Sequence, residues 1–431
     1  MRTLTPHTLA ILFCGALFCS LGCSDEAVPT SASSSGGGAD TSSTTTSTSA
    51  STTTTTGTGS GGDAEWTYAD WAVPGCGIEY AKRPELAFPA LEWEECPGDV
   101  AGCERIKKNW PHEGVSGMGN PAVMGTANGH AIGLFVKLEQ LEPRLVYFSD
   151  KGEPEAVYKQ GTNSNCFLTR PALSVDGHWV GSQRLEVDPP SRFAFQPRSA
   201  PAGQVEMVPF DQLSQFQRGG DELLALQLDF GVGWYIYDRV TGQVHAAPAD
   251  FTATNPTLSG GSAFMLRFDP DLDSPKAWAF SRQSGGFARL INNDPGVVLA
   301  VHADAQDLVW IEASPGAWPV PGTLRRSPFA ATAAGVVPTT VRPMPPLGPV
   351  EAGAVGDGYY ALAGDGYHIF VVRLADGRLW KMPLPPTNDG AYLHHVSHVD
   401  ATYVFYKTST HVYRQRLDQL GPGYAANELP P

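Results

Sequence analysis

Three features predict an all-β fold of repeated units, a β-propeller of seven blades within a range of six to eight. The chain is heavy in turn residues. Hydrophobic runs rich in aromatic and β-branched residues recur along it. A glycine-to-proline frame follows several of those runs. With 47 Gly and 36 Pro in 431 residues, the composition argues against a helical protein, and no long segment carries a 3.6-residue period.

Seven strand–turn–strand units carry the repeat: Leu145–Gly152, Phe193–Gly203, Trp234–Gly242, Ala277–Gly286, Leu308–Gly316, Ile369–Gly377 and Tyr403–Thr410. Each starts with strand-forming residues and reaches a polar turn, usually ending in glycine. Their starts fall 48, 41, 43, 31, 61 and 34 residues apart, averaging near the ~40–45 residues of a four-stranded blade. The long step is read as a Pro-rich insertion at Val337–Pro346. A frame G-x-[V/L]-x-x-x-P begins at Gly203, Gly242, Gly322 and Gly377 and ends at Pro209, Pro248, Pro328 and Pro383. Glycine takes the turn, a short strand follows, and proline ends it because it has no N–H for the ladder.

One segment carries a family likeness. Ala172-Leu-Ser174-Val-Asp176-Gly177-His-Trp179 resembles the S-P-D-G turn of bacterial TolB-like (PD40-type) propellers, with Val175 in place of proline. The resemblance implies the same fold. The sialidase Asp-box places another residue between Asp and Gly, so no sialidase reading follows.

The N-terminus reads as a targeting signal. Arg2 precedes an apolar run, Leu9–Phe18, with the length of a signal-peptide core and too short for a membrane span. It leads to Ser20-Leu21-Gly22-Cys23, which resembles the lipobox of bacterial lipoproteins except at Ser20, where that family has a large aliphatic residue. The resemblance implies a diacylated Cys23 at a new N-terminus. It also implies a membrane partner through the lipid and a place in the bacterial cell envelope, on the outer membrane. The alternative is an ordinary cleaved signal peptide with Cys23 incidental. Residues 27–62 are almost entirely Ser, Thr, Gly and Ala, which cannot offset the entropy of folding and form a flexible tether.

The expected organisation is a signal peptide at 1–22, a lipidated cysteine and disordered linker at 23–63, a disulfide-pinned segment at 64–125 and the propeller at 126–431. Four cysteines remain after processing: Cys76, Cys96, Cys103 and Cys166. An even number in an exported chain predicts two disulfides, with three pairings open. The short Pro/Gly loop between Cys96 and Cys103 favours that pair, which leaves Cys76 to Cys166. The N-terminal segment does not fit the repeat and is expected to pack on the propeller, lending a strand to the last blade.

Charge and motifs bound the chemistry. A net charge of −15 with no basic run disfavours nucleic-acid binding. No C-x-x-C pair points to zinc. In His394-His395-Val-Ser-His398, a strand places His394 and His398 on one face, where a third ligand would complete a transition-metal site. The blander reading lines a wet channel with these residues. Asp269, Asp271 and Asp273 alternate like calcium ligands, although Ser274 and Phe280 stand where an EF-hand loop has Gly and Glu. Otherwise no cofactor is implied. Gly114-Val-Ser116-Gly-Met118-Gly119 misses the serine elbow at Met118. The leading expectation is an envelope-anchored binding or scaffolding module for an extracellular or periplasmic protein or polysaccharide, without evident catalysis. The alternative is an extracellular hydrolase or lyase acting on glycans or peptides.

Overall fold

The computed structural model describes residues 67–430, excluding 74–75, 83–89, 99, 108–114, 127–128, 139–143, 161–165, 169–171, 175, 185–191, 199–205, 209–213, 229–232, 249–255, 270–273, 292–295, 317–318, 330–335, 348–349, 351–352, 365–367, 384–392 and 409–410. Residues 1–66, where the signal peptide, the lipidated Cys23 and the linker are expected, lie outside the described residues.

Those residues form seven antiparallel sheets. The innermost strands, taken in chain order, are Val115–Thr126, the pair Cys166–Leu168 and Ala172–Leu173, Ser214–Gly219, Thr257–Ser259, Val297–Ala303, Gly353–Gly356 and Leu393–Val399. Each touches the innermost strand of the next sheet, and Leu393–Val399 touches Val115–Thr126. The ring therefore closes as a seven-bladed β-propeller, which protects its strand edges by radial repetition.

Both ends of the described chain serve that closure. The last blade takes Leu393–Val399, Tyr403–Thr408 and Val412–Arg416 from the C-terminal part, then Cys103–Ile106 and Trp93–Glu95 from the N-terminal part. Tyr413 pairs with Arg105, and Gln415 with Cys103. Two earlier strands, Thr67–Val73 and Cys76–Lys82, extend the first blade beyond Pro154–Gln160. The expected boundary at 126 is thus misplaced: the first blade begins at Val115, because its innermost strand runs through the Gly-rich stretch read as a failed serine elbow.

Two further expectations change. The Pro-rich stretch is not an insertion: Thr339–Leu347 is the outermost strand of the fifth blade. Proline is tolerated there because an edge strand needs ladder donors on one side only. Gly322 lies inside the strand Val320–Pro328, whereas Gly242 and Gly377 occupy turns before fourth strands with φ of 70° and 69°.

Apolar clusters fill the space between blades. One joins Leu299, Ile311, Leu324 and Met344 of the fifth blade to Tyr360, Leu362 and Val372 of the sixth. Another joins Trp179, Phe193 and Phe195 of the second to Leu224, Leu226 and Tyr237 of the third.

A repeated device stitches the seams at the rim. In the second to seventh blades the residue after the third strand donates its N–H to the carbonyl just before the second strand. The pairs are Arg198 to Asp176, Arg239 to Glu222, Arg282 to Gly261, Phe329 to Gln306, Leu374 to Gly358 and Leu417 to Thr402, all at 2.7–2.9 Å. Its side chain then reaches back to the preceding blade. In the second to fourth blades it is arginine: Arg198 meets Glu155 at 2.9 Å, Arg239 meets Glu206 at 2.7 Å, and Arg282 meets Asp238 at 2.7 Å. In the fifth to seventh it is apolar. Phe329 meets Phe264 edge-on at 5.9 Å, and Leu374 and Leu417 join the shared clusters.

Candidate functional site

The site is built where the two ends of the ring meet. Cys96 follows the strand Trp93–Glu95 and Cys103 opens the strand Cys103–Ile106; they form the expected disulfide. The enclosed loop is fixed by Cys96 N–H to Cys103 O (3.0 Å) and Cys103 N–H to Val100 O (3.0 Å). Its glycines are obligatory: Gly98 and Gly102 have φ of 87° and 72°, where side chains are disfavoured. The seventh blade grips the loop from the other side. Gln415 Nε2 donates to Ala101 O at 2.7 Å, and Arg416 N–H to Gly102 O at 2.9 Å.

A neighbouring wall comes from Arg378–Pro383, the outermost strand of the sixth blade, where Trp380 and Met382 are buried. The third wall is the chain after the short 3-10 turn Leu417–Gln419, running along that strand to Tyr424. Together they enclose an open groove of about 480 Å³, lined by Val100, Trp380, Lys381, Met382, Leu420 and Tyr424 among others. Gln415 and Gln419 supply amides, and among the described residues no carboxylate lines it, in a chain with 44 acidic and 29 basic side chains. A concave surface of this size, mostly apolar with a few polar groups, suits ligand recognition.

The histidine motif sits elsewhere, on the innermost strand of the seventh blade. His398 Nε2 lies 3.6 Å from Asp400 Oδ2. Asp400 Oδ1 accepts N–H bonds from Thr402 and Tyr403, both at 2.7 Å. Burial pushes the Asp400 carboxyl up, but His398 and these two amides outweigh it and hold it below the ordinary carboxylate range. Its evident work is capping a turn. Across the closing seam, His130 packs on Phe405 with ring centroids 4.5 Å apart. Burial, opposed by the Asp400 charge, lowers His130 to about 4, so the ring is neutral at pH 7. The side chains of His394, Asp269, Cys76 and Cys166, and all of Asp271 and Asp273, lie outside the described residues. The strands Cys76–Lys82 and Cys166–Leu168 are in contact. Among the described residues no cluster of three or more His, Cys, Asp or Glu has metal-binding geometry.

Sequence reasoning passed over one buried network. Across the seam of the first two blades, Tyr158 Oη donates to Gln196 Oε1 at 2.8 Å and lies 3.1 Å from His178 Nδ1. His178 stacks on Tyr147 at 4.2 Å and faces Glu155 at 3.6 Å. Burial lowers the His178 pKa, outweighing its Glu155 partner. His178 and Tyr158 are closed to solvent, so the network orders the seam rather than meeting a ligand. Nothing in the spacing of these five residues could have joined them.

The groove was equally illegible beforehand, except for the cysteine pair. No family model matches the chain, and no curated protein matches it in sequence. Solved structures resemble it in fold. An oligogalacturonate lyase from Vibrio parahaemolyticus is 9% identical, with a TM-score of 0.48 over 76% of this chain and 97% of that one. YCF48 from Cyanidioschyzon merolae is 11% identical, with a TM-score of 0.43 over 74% and 99%. The β-propeller domain of the Trilobed protease from Pyrococcus furiosus is 10% identical, with a TM-score of 0.43 over 73% and 96%. Likeness at this level speaks to fold alone, and one fold hosts many functions.

Proposed function

We propose that the protein is a binding module of the bacterial cell envelope, held on the outer membrane by a lipidated Cys23 and its Ser/Thr linker, and that the propeller engages an extracellular or periplasmic partner through the groove between its sixth and seventh blades. The observation that carries this reading is the groove itself: an open, aromatic- and thioether-walled cleft with no carboxylate among its described lining residues, on an acidic chain. Interfaces favour such anchors, with charge displaced to the rim.

A native pull-down tests it. The full chain, tagged at its C-terminus, is extracted gently from its own envelope, and co-purifying proteins and sugars are identified by mass spectrometry. The reading expects one stoichiometric partner that Lys381→Glu releases. A chain recovered alone would overturn it. Recovery outside the membrane fraction would overturn the lipid anchor.

A further inference from the structure

The outer edge of the sixth blade is already occupied by the chain's own C-terminal strap. Leu379 N–H donates to Tyr424 O at 3.0 Å, and Tyr424 N–H donates back to Leu379 O at 2.8 Å. Trp380 Nε1 donates to Gly421 O at 3.0 Å, Arg378 Nη1 to Pro422 O, and Arg342 Nη2 to Glu428 O. All five bonds end on the main chain of the strap. Such recognition accepts an extended peptide of varied sequence, because every residue offers a carbonyl.

Sequence enters at two neighbouring positions. Tyr424 packs its side chain against the cluster shared by the fifth and sixth blades. Gly423 crosses Trp380 with φ of 65°, and a Cβ there would lie 2.7 Å from Trp380 Nε1 and 2.9 Å from Leu379 O. Only glycine passes at that point. Pro422, opposite Lys381 in the antiparallel register set by Leu379 and Tyr424, has no N–H to give, so the strap pairs briefly and then departs. Main-chain pairing for affinity and a side-chain pocket for specificity are the terms of strand addition. The groove runs beside this strap and shares Pro422, Gly423 and Tyr424 with it.

We propose that the outer edge of the sixth blade is a peptide-acceptor site, filled in cis by residues 421–430, and that a partner protein docks by replacing the strap with an extended segment bearing a Gly–aromatic pair. This rests on the binding reading above and names the partner's chemistry. The strap competes with the partner, so its release sets the apparent affinity.

The test uses a fluorescein-labelled synthetic peptide of residues 421–431, titrated by anisotropy into the full chain and into a chain ending at Leu420. Saturable binding to the shortened chain is expected, at least tenfold tighter than to the full chain. Gly423→Ala or Tyr424→Ala in the peptide should weaken it at least tenfold. A shortened chain with unchanged circular dichroism and melting that binds no peptide, or binds all three alike, overturns the proposal. Should the shortened chain fail to fold, the full chain carrying Tyr424→Ala replaces it. Tenfold tighter binding than wild type supports the proposal, and equal exclusion of the peptide overturns it. A partner, protein or polysaccharide, that the peptide does not displace from the envelope extract sinks this proposal while leaving the binding reading intact. Absence of any partner overturns the binding reading and the partner half of this proposal, while the peptide titration still decides whether the blade edge accepts a strand.

Discussion

Arg282 Nε lies 2.7 Å from Asp238 Oδ2 across the seam between the third and fourth blades, and Asp238 is fully buried. The same carboxylate caps its own turn, accepting N–H bonds from Val240 at 2.9 Å and Thr241 at 3.3 Å. The guanidinium also holds Glu222 at 2.5 Å. This contact is the most enclosed form of a stitch that recurs at every seam from the second blade to the seventh.

Removing Arg282 leaves a buried carboxylate without its cation. Arg282→Ala is expected to cost about 3–5 kcal/mol, the usual loss when one partner of a buried pair is deleted. Arg239→Ala, whose partners Glu206 and Asp176 are more exposed, should cost nearer 1 kcal/mol. Urea unfolding of the two variants checks the order, and an equal loss would mean that burial of Asp238 does not matter.

The apolar half of the ring should respond differently. Leu374→Ala, in the cluster between the fifth and sixth blades, is expected to cost about 2–5 kcal/mol and to be insensitive to salt. The loss in Arg239→Ala should shrink as ionic strength rises. Repeating the urea series at low and high sodium chloride separates the two.

These stitches also show what was legible in the sequence. The spacing of hydrophobic units pointed to a propeller, but the units were not all the same strand. Those at Leu308 and Tyr403 are second strands, whereas the others are third strands. Third strands begin at Arg144, Arg192, Trp234, Ser274, Val320, His368 and Val412, a nearly even rhythm that the strongest hydrophobic runs hide. Val320–Pro328 is the case in point: its two arginines and glycine look like a turn, yet Arg326 is neutralised within the blade by the buried Asp307 at 2.6 Å. The disulfide was readable from its short loop. The groove was not, because its walls lie about 280 residues apart in sequence, at Val100 and Trp380, and only ring closure brings them together.

The closing hairpin depends on that disulfide. Cys103→Ser with Cys96→Ser is expected to cost about 2.5 kcal/mol, from the chain-entropy model for so short a loop. The loss should be local. Hydrogen exchange would speed up at 93–106 and at the Gln415–Arg416 contact, leaving the third and fourth blades unchanged. Uniform acceleration around the ring would show that the hairpin is part of one cooperative unit instead.

Acid should weaken the closing seam. His130 is depressed to about 4 in the folded chain, whereas the unfolded chain takes up its proton near 6.5. Between those values the unfolded state binds more protons. The contribution of the neutral ring is therefore complete above about 6.5, falls as pH drops toward about 4, and changes no further below that. Its size is about 3 kcal/mol. His130→Phe should flatten the dependence of the urea midpoint on pH in that window. An unchanged slope would place the titration on another group.

The strap has its own anchor. Arg342 is buried and gives its N–H groups to the carbonyls of Pro343, Gly377 and Glu428. Arg342→Met should release residues 424–430 to exchange at least tenfold faster, a shift of about 1.4 kcal/mol, and expose them to carboxypeptidase. Unaltered protection would show that the strap is held by its bonds to Arg378, Leu379 and Trp380 without Arg342.

The central claim is that the partner is held at the groove beside Trp380. The most direct test places a photo-activatable cross-linking residue at Lys381 and, in a separate full chain, at Val240, which is 64% exposed on the third blade. Both are irradiated in the native envelope. A single partner trapped from position 381 and absent from 240 is the predicted result. The same partner from both positions, or none from 381, would contradict the account.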